Sequence, residues 1–288
     1  MGGFEELTTV MAGASVLTSY PSLVVKQDRA SICEAVSEWD APSTSQISDP
    51  RKAAEEVLFL EEESSRTCRV CCPNYRPFTQ SLYQGKDSRG TLIAEYRRNC
   101  KVPVLPLKCC CFQTLYVSDG KSKQEIGFVK EEFFVIMPTF AVLNAAGQTI
   151  ARVHYPTCCT GMLYDFCPQG TKGSCCGIYD CCCLRPPFLF HQVNTSTGRA
   201  AEEADGSIST DIPAGVSLDE GTGAFLVSFP STTILSATDR MLYLGAAWLI
   251  GDVFYKKTSS WEFDSCTCCS GGFDYSKTCV CSSRFCCR

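Results

Sequence analysis

The sequence predicts a mainly β domain, a sandwich or a barrel, with one apolar helix near its C-terminal side. Short apolar or alternating runs recur along the chain, and turn signals rich in Gly, Asn and Asp separate them. A single longer apolar segment breaks this pattern. These three observations favour many short antiparallel strands packed against one buried helix.

The predicted strands share apolar alternation or a high content of β-branched and aromatic residues. They are Glu56–Leu60, Phe78–Tyr83, Thr91–Tyr96, Phe112–Val117, Phe140–Leu143, Thr149–His154, Phe188–Val193 and Phe225–Phe229. Turns are predicted at Gln84–Asp87, Ser118–Gly120 and Asn144–Gly147. The segment Thr195–Gly223 is polar and contains glycines, and we predict a long loop there.

The apolar segment Met241–Tyr255 is predicted to be a helix buried in the core. As a helix it would span about 22 Å, whereas a bilayer core measures about 30 Å. It also contains an acidic residue, and such residues are costly inside a membrane. A transmembrane span is therefore the less favoured alternative. The core positions assigned to this helix are Leu244, Trp248, Ile250 and Asp252.

The 23 cysteines occur mostly in runs, which is unusual for a disulfide framework. Neighbours on a strand point to opposite faces, so adjacent cysteines pair poorly with partners elsewhere. A run instead crowds thiols at one point, where they can be acylated or can share a soft metal. The N-terminus Met1–Glu6 is acidic and does not resemble a signal peptide, so we expect a reduced, cytosolic protein.

Composition and motifs argue against two broad function classes. The net charge is -5, with 26 basic and 31 acidic residues, and this balance predicts no nucleic-acid partner. Only two histidines are present, His154 and His191, and both lie in predicted strands, where a packed imidazole is the ordinary role. No Gly-x-Ser-x-Gly elbow occurs. The sequence therefore predicts that the protein is not an enzyme.

Several motifs, in this order, resemble those of the phospholipid scramblase family. They are Glu56–Glu63, the Cys-Cys-Pro-Asn-Tyr-Arg-Pro-Phe-Thr stretch Cys71–Thr79, the cysteine run Cys109–Cys111, Ile126–Val129, Pro138–Phe140 and the helix segment Gly245–Tyr255. The resemblance extends over about Leu7 to Lys257. It implies a tubby-like fold, a closed antiparallel β-barrel around a central apolar C-terminal helix. It also divides the chain into a scramblase (tubby-like) domain, residues 1–257, and a cysteine-rich tail, residues 258–288.

The resemblance implies ATP-independent movement of phospholipids between membrane leaflets by a protein at the cytosolic face of the plasma membrane or an endomembrane. Its expected partners are membrane phospholipids. The alternative is a tubby-like lipid-binding and regulatory module that has no transport activity. A fully closed barrel would favour that alternative, because the residues display no lipid path.

The candidate lipid anchor is the run Cys109, Cys110 and Cys111, which resembles the palmitoylation stretch of the family. Lys101 and Lys108 flank it, and stable anchoring requires several acyl chains or a chain plus basic residues. The cysteines of the tail have ligand-like spacings and could hold zinc or another soft metal. The tail residues in question are Cys266, Cys268, Cys269, Cys279 and Cys281.

Calcium is a weaker expectation. The family's calcium-binding segment precedes a Phe-Pro pair, found here at Phe229-Pro230, but its acidic positions fall on Gly221 and Gly223. Only Asp219 and Glu220 lie close by, and calcium prefers several carboxylate oxygens. The resemblance therefore predicts that calcium control is weakened or lost.

Overall fold

The structure is a computed structural model that describes residues 15–27, 44–51, 56–65, 77–99, 112–133, 138–155, 187–210, 212–213 and 223–252. Within these ranges a short 3₁₀ helix (Ser15–Ser19) precedes twelve strands and one α-helix, α1 (Ala237–Ile250). The strands are β1 (Ser22–Gln27), β2 (Thr44–Ser48), β3 (Glu56–Glu63), β4 (Phe78–Gln84), β5 (Thr91–Arg98), β6 (Thr114–Asp119), β7 (Glu125–Glu131), β8 (Thr139–Asn144), β9 (Thr149–His154), β10 (Phe188–Gln192), β11 (Ser207–Ser209) and β12 (Gly223–Ser228).

The strands close into one antiparallel barrel in which every strand pairs with its neighbours in sequence. The barrel closes where β1 pairs with β12, with Ser22 opposite Ser228 and Gln27 opposite Gly223. Among the twelve described strands, closure leaves no edge open for pairing with another chain. The predicted fold class, a mainly β closed barrel with a C-terminal helix, is confirmed.

Side-chain alternation along the strands separates the barrel interior from its outer surface. In β9, Ala151 and Val153 are buried whereas Arg152 between them is exposed. This period of two follows from the pleat of the strand. The interior side chains form one apolar core with the residues of α1.

Helix α1 lies inside the barrel, and its residues from Met241 to Ile250 are all buried. Tyr243 packs edge-on against Phe190 of β10 with ring centroids 4.8 Å apart, and Trp248 lies 6.3 Å from Phe225 of β12. On another side, the hydroxyl of Tyr96 in β5 donates to the Met241 carbonyl. The helix is therefore surrounded by strands, as expected for a central helix.

Two glycines allow the helix to approach the barrel wall closely. A Cβ at Gly127 in β7 would lie 2.9 Å from Leu242 Cδ2, and the positive φ of 154° at this residue also favours glycine. A Cβ at Gly245 would lie 3.2 Å from the Tyr96 ring. Within the described ranges, no helix is both long enough and apolar enough to cross a membrane.

The structure corrects three details of the prediction. The helix begins at Ala237, before the predicted start, because Ser236 and Asp239 form a capping box that extends its first turn. The prediction of one long loop over Thr195–Gly223 is wrong, since Ser207–Ser209 forms β11. This short polar strand lacks an apolar pattern and is held by its pairing with β10 and β12. The strands Ser22–Gln27 and Thr44–Ser48 were not predicted either.

Candidate functional site

The two ends of the barrel carry different connections. Because consecutive strands are antiparallel neighbours, the β1–β2, β3–β4, β5–β6, β7–β8, β9–β10 and β11–β12 connections all leave and re-enter the barrel at one end, which we call the cysteine end. The remaining connections and the start of α1 lie at the opposite end, which we call the polar end. The helix runs from the polar end to the cysteine end, where Asp252 lies beside Arg98.

Every cysteine of the chain lies, by its sequence position, in a segment that is joined to the barrel at the cysteine end. Each of the 23 cysteines lies in the β1–β2, β3–β4, β5–β6 or β9–β10 connection or in the chain after α1. The connections of the polar end contain none. The segments that carry cysteines are therefore all joined to the barrel at the same end.

The polar end carries short, hydrophilic turns. The β4–β5 turn exposes Lys86 and Arg89, and the β6–β7 turn exposes Lys121 and Lys123. Arg89 is paired with Asp87, and Lys123 is paired with Glu95 of β5. The Arg89 guanidinium lowers the pKa of Asp87 through a side-chain hydrogen bond. Much of the basic charge at this end is therefore balanced locally.

A buried ion pair joins the helix to the barrel wall at the cysteine end. Alternation along β5 turns Arg98 into the barrel, and its Nη1 lies 2.5 Å from Asp252 Oδ2. Both side chains are essentially inaccessible, at 0% and 1% exposure. The guanidinium also lies over the Phe78 ring, 4.4 Å from its centroid. Asp252, the acidic residue of the apolar segment Met241–Tyr255, thus neutralises a buried arginine.

An open cleft of about 500 Å³ lies next to this pair. It is formed where β3 ends, β4 begins and β5 ends, and its wall includes Glu63, Ser64, Phe78, Arg97 and Asn99. Ser64 donates to the buried carboxylate of Glu62 at 2.8 Å, which fixes this corner of the cleft. The cleft therefore combines hydroxyl, amide and carboxylate groups with one exposed guanidinium.

Arg97 is the exposed cation of the cleft. It is the outward-facing neighbour of Arg98 on β5, and its guanidinium lies 5.6 Å from the centroid of the Tyr116 ring. No carboxylate pairs with it in the part of the chain that the structure describes. A guanidinium with free donors at an open surface can bind phosphate through two hydrogen bonds.

The two histidines have structural roles, in agreement with the sequence prediction. The imidazoles of His154 and His191 stack on the outside of the barrel, with centroids 4.3 Å apart and planes 8° apart. Their Nδ1 atoms bond the carbonyl oxygens of Tyr155 and Ala201, respectively. Among the described residues, no group of three or more His, Cys, Asp and Glu side chains is arranged to hold a metal.

Asp205 holds together two segments of the polar end. Its carboxylate accepts hydrogen bonds from the backbone amides of Ser231 and Thr232, each at 2.8 Å, and from both hydroxyls. Partial burial would raise the pKa of Asp205, but these hydrogen bonds together outweigh it and lower the pKa. Asp205 therefore stabilises the connection that leads from β12 into α1.

The structure places some of the predicted site residues and does not describe others. Leu244, Trp248, Ile250 and Asp252 are all buried within the barrel. The predicted anchor Cys109–Cys111, the calcium candidates Asp219 and Glu220, and the tail cysteines Cys266, Cys268, Cys269, Cys279 and Cys281 lie outside the described residues. The division between residues 1–257 and the tail 258–288 likewise stays a prediction.

Sequence reasoning did not find the pairing of Arg98 with Asp252 or the cleft beside it. The available signal was weak: one acid in the apolar segment Met241–Tyr255, and Arg98 two residues after the inward-facing Tyr96 on the same strand. Such a signal predicts on which face of β5 the Arg98 side chain lies, but it does not identify the residue that pairs with Arg98 across the barrel. The partner depends on the depth to which the helix enters.

The fold and site define a helix-filled antiparallel barrel whose cysteine-bearing connections share one end. Comparison with known families is more specific: the Scramblase family model matches residues 1–167, more than half of the chain. The chain belongs to the scramblase family. No curated protein and no solved structure gives a significant match. The match ends in the β9–β10 connection, so the strands and the helix that complete the barrel lie beyond it.

Proposed function

We propose that this protein is a phospholipid scramblase that moves phospholipids between membrane leaflets without ATP and is attached to the cytosolic face through acylated cysteines. Membership of the scramblase family supports the activity. The attachment is supported by the topology, because every cysteine-bearing segment is joined to the barrel at the same end. Thiols in segments that start from the same end could face the same membrane, and several acyl chains give stable membrane anchoring.

The cleft at the cysteine end supports a direct role in lipid contact. A bilayer facing this end would bring lipid phosphates within reach of the exposed guanidinium of Arg97, and the exposed Glu63 could contact a cationic headgroup amine. Arg98 is committed to Asp252 and would instead keep the wall of the cleft in place. We therefore expect the outward-facing residues of this end to bind the headgroups.

A dithionite assay on liposomes that contain the purified full-length protein tests the activity. Fluorescent lipid in the inner leaflet should become accessible to dithionite faster than in protein-free liposomes, both with and without calcium. Label that stays protected under both conditions would contradict transport. The protein would then fit the second candidate, a tubby-like lipid-binding and regulatory module, which the fully closed barrel and its helix-filled interior favour.

Replacing Cys109, Cys110 and Cys111 together with serine should move the protein from the membrane fraction to the cytosol. The reason is that the loss of several acyl chains removes the stable part of membrane binding. Cell fractionation and hydroxylamine-sensitive acyl labelling measure the effect, and Cys33→Ser, a cysteine outside the runs, is the control. Acyl labelling that survives the triple change would place the anchor elsewhere, with the tail cysteines as the next candidates.

Calcium control is proposed to be weakened in this protein. The segment before Phe229-Pro230 has glycines at Gly221 and Gly223, where the family's site has acids, and both Asp205 oxygens already accept hydrogen bonds from Ser231 and Thr232. Calorimetric titration with calcium should therefore give no micromolar binding. Micromolar binding that disappears in Asp219→Ala would contradict this and would place a site at Asp219 and Glu220.

The tail offers a further, separate candidate role. Cys266, Cys268, Cys269, Cys279 and Cys281 have spacings that suit zinc, and a segment with few aliphatic residues can fold around a metal. Acylation of the same cysteines is the alternative. Zinc analysis of the purified full-length protein distinguishes the two, since bound zinc would require free thiolates.

A further inference from the structure

The two exposed large apolar side chains of the described residues lie at opposite ends of the barrel. Phe133, which follows β7 at the cysteine end, is 66% exposed, and Ile234, between β12 and α1 at the polar end, is 100% exposed. They therefore provide a natural comparison between the two ends. The surroundings of Phe133 and Ile234 differ, and we therefore assign different roles to the two side chains.

Phe133 is held outward by a second aromatic ring. Phe112, which precedes β6, packs edge-to-face against Phe133, with centroids 6.2 Å apart and planes at 90°. The backbones beneath the two rings are joined, because Glu131 N donates to the Gln113 carbonyl and Gln113 N donates to Glu131 Oε2. The exposed ring thus stands on a fixed base at the rim of the barrel.

The sequence around this base is apolar, which is uncommon for a connection at a protein surface. Between Phe133 and Thr139 the chain reads Phe-Val-Ile-Met-Pro and contains no charged residue. The cysteine run Cys109–Cys111 directly precedes Phe112. The opposite end instead exposes the charged turns that contain Lys86, Arg89 and Lys121. The exposed Phe133 therefore adjoins an uncharged, apolar connection, whereas Ile234 lies at the end that carries these charged turns.

We propose that the barrel rests on the bilayer with its cysteine end and that Phe133, supported by Phe112, inserts into the lipid interface. The proposal rests on the membrane attachment stated in the proposed function and adds an orientation and an acyl-independent contact. Aromatic rings favour the boundary between headgroups and acyl chains, and apolar area buried there adds to binding. This contact would place the cleft with Arg97 near the headgroups.

Tryptophan quenching tests the orientation directly. Phe133→Trp and Ile234→Trp are prepared in the full chain, treated with hydroxylamine to remove acyl groups, and mixed with vesicles of brominated phosphatidylcholine and a minor share of phosphatidylserine. Relative to the unsubstituted chain, additional quenching is expected for Trp at position 133 and none at position 234. Equal quenching at the two positions, quenching at 234 alone, or none at either would overturn the proposal.

A second pair of variants measures the contribution of the ring to binding. Phe133→Ser should weaken vesicle binding of the hydroxylamine-treated chain about tenfold, whereas Ile234→Ser should leave it unchanged. Both side chains are exposed, so thermal unfolding should stay the same in both variants. Unchanged vesicle binding of Phe133→Ser would contradict insertion.

The outcomes for orientation and for transport are separable. If Trp at position 133 is quenched but the protein does not scramble lipid, the proposed docking surface stands and the proposed transport activity is wrong. If the protein scrambles lipid but shows no quenching at position 133, the proposed transport activity stands and the proposed docking surface is wrong. The two assays use the same full-length chain, so the comparison does not depend on truncation.

Discussion

Replacement of Ala247 by lysine is expected to unfold the barrel. Ala247 lies in the middle of α1 and is fully buried, and the helix is surrounded by strands. An ammonium group there would have no water or counterion, and burying such a charge unpaired costs several kcal/mol. The free energy of unfolding of such domains is only about 5–15 kcal/mol, so the cost of burying this charge would remove much of the stability of the barrel. Circular dichroism and urea unfolding measure the change.

Ala146→Lys is the matched control for this experiment. Ala146 lies in the exposed β8–β9 turn, where its backbone amide donates to Asn144 Oδ1 and its side chain faces solvent. The same substitution should there change the free energy of unfolding by less than about 0.5 kcal/mol. A folded and soluble Ala247→Lys variant with the stability of the control would show that α1 is not buried in the barrel.

Breaking the ion pair between Arg98 and Asp252 should cost about 3–5 kcal/mol of stability, because either Asp252→Asn or Arg98→Met leaves a buried charge without its partner. The double variant Arg98→Met with Asp252→Leu should recover most of this loss, since no unpaired charge remains. Denaturant unfolding of the two single variants and the double variant gives the coupling energy between the side chains.

The surface pair of Arg89 and Asp87 is the control for the buried pair. It has the same type of charges, but it lies in an exposed turn. Asp87→Asn should not change the unfolding midpoint measurably, because solvent screens the pair. Additive losses in the Arg98 and Asp252 variants, with no recovery in the double variant, would contradict the role assigned to the ion pair.

Under the proposed function, the ion pair also separates folding from headgroup binding at the cleft. Arg97 and Arg98 are adjacent in the sequence, but alternation turns Arg97 outward and Arg98 inward. A change at Arg98 is therefore expected to affect stability, and a change at Arg97 to affect headgroup binding. Mutations that treat this Arg-Arg pair as one basic site would mix the two effects.

The sequence alone determined the fold class and the family. Strands such as Thr149–His154 could be predicted because a half-buried strand needs alternating side chains, and the pleat fixes that period locally. The burial of α1 could also be inferred, since its segment is apolar on nearly every side and too short to cross a bilayer. The family motifs lie mostly within these same elements.

Only the tertiary structure decided which residues meet across the barrel. β11 has no apolar pattern of its own and exists because β10 and β12 supply its hydrogen bonds. The pairing of Arg98 with Asp252 depends on the depth of α1 in the barrel. The direction of every strand decides that all cysteine-bearing connections join the barrel at the same end. Periodicity is a local property of the chain, whereas register, depth and direction are set by closure of the whole sheet. The sequence therefore predicted most of the elements but not the site.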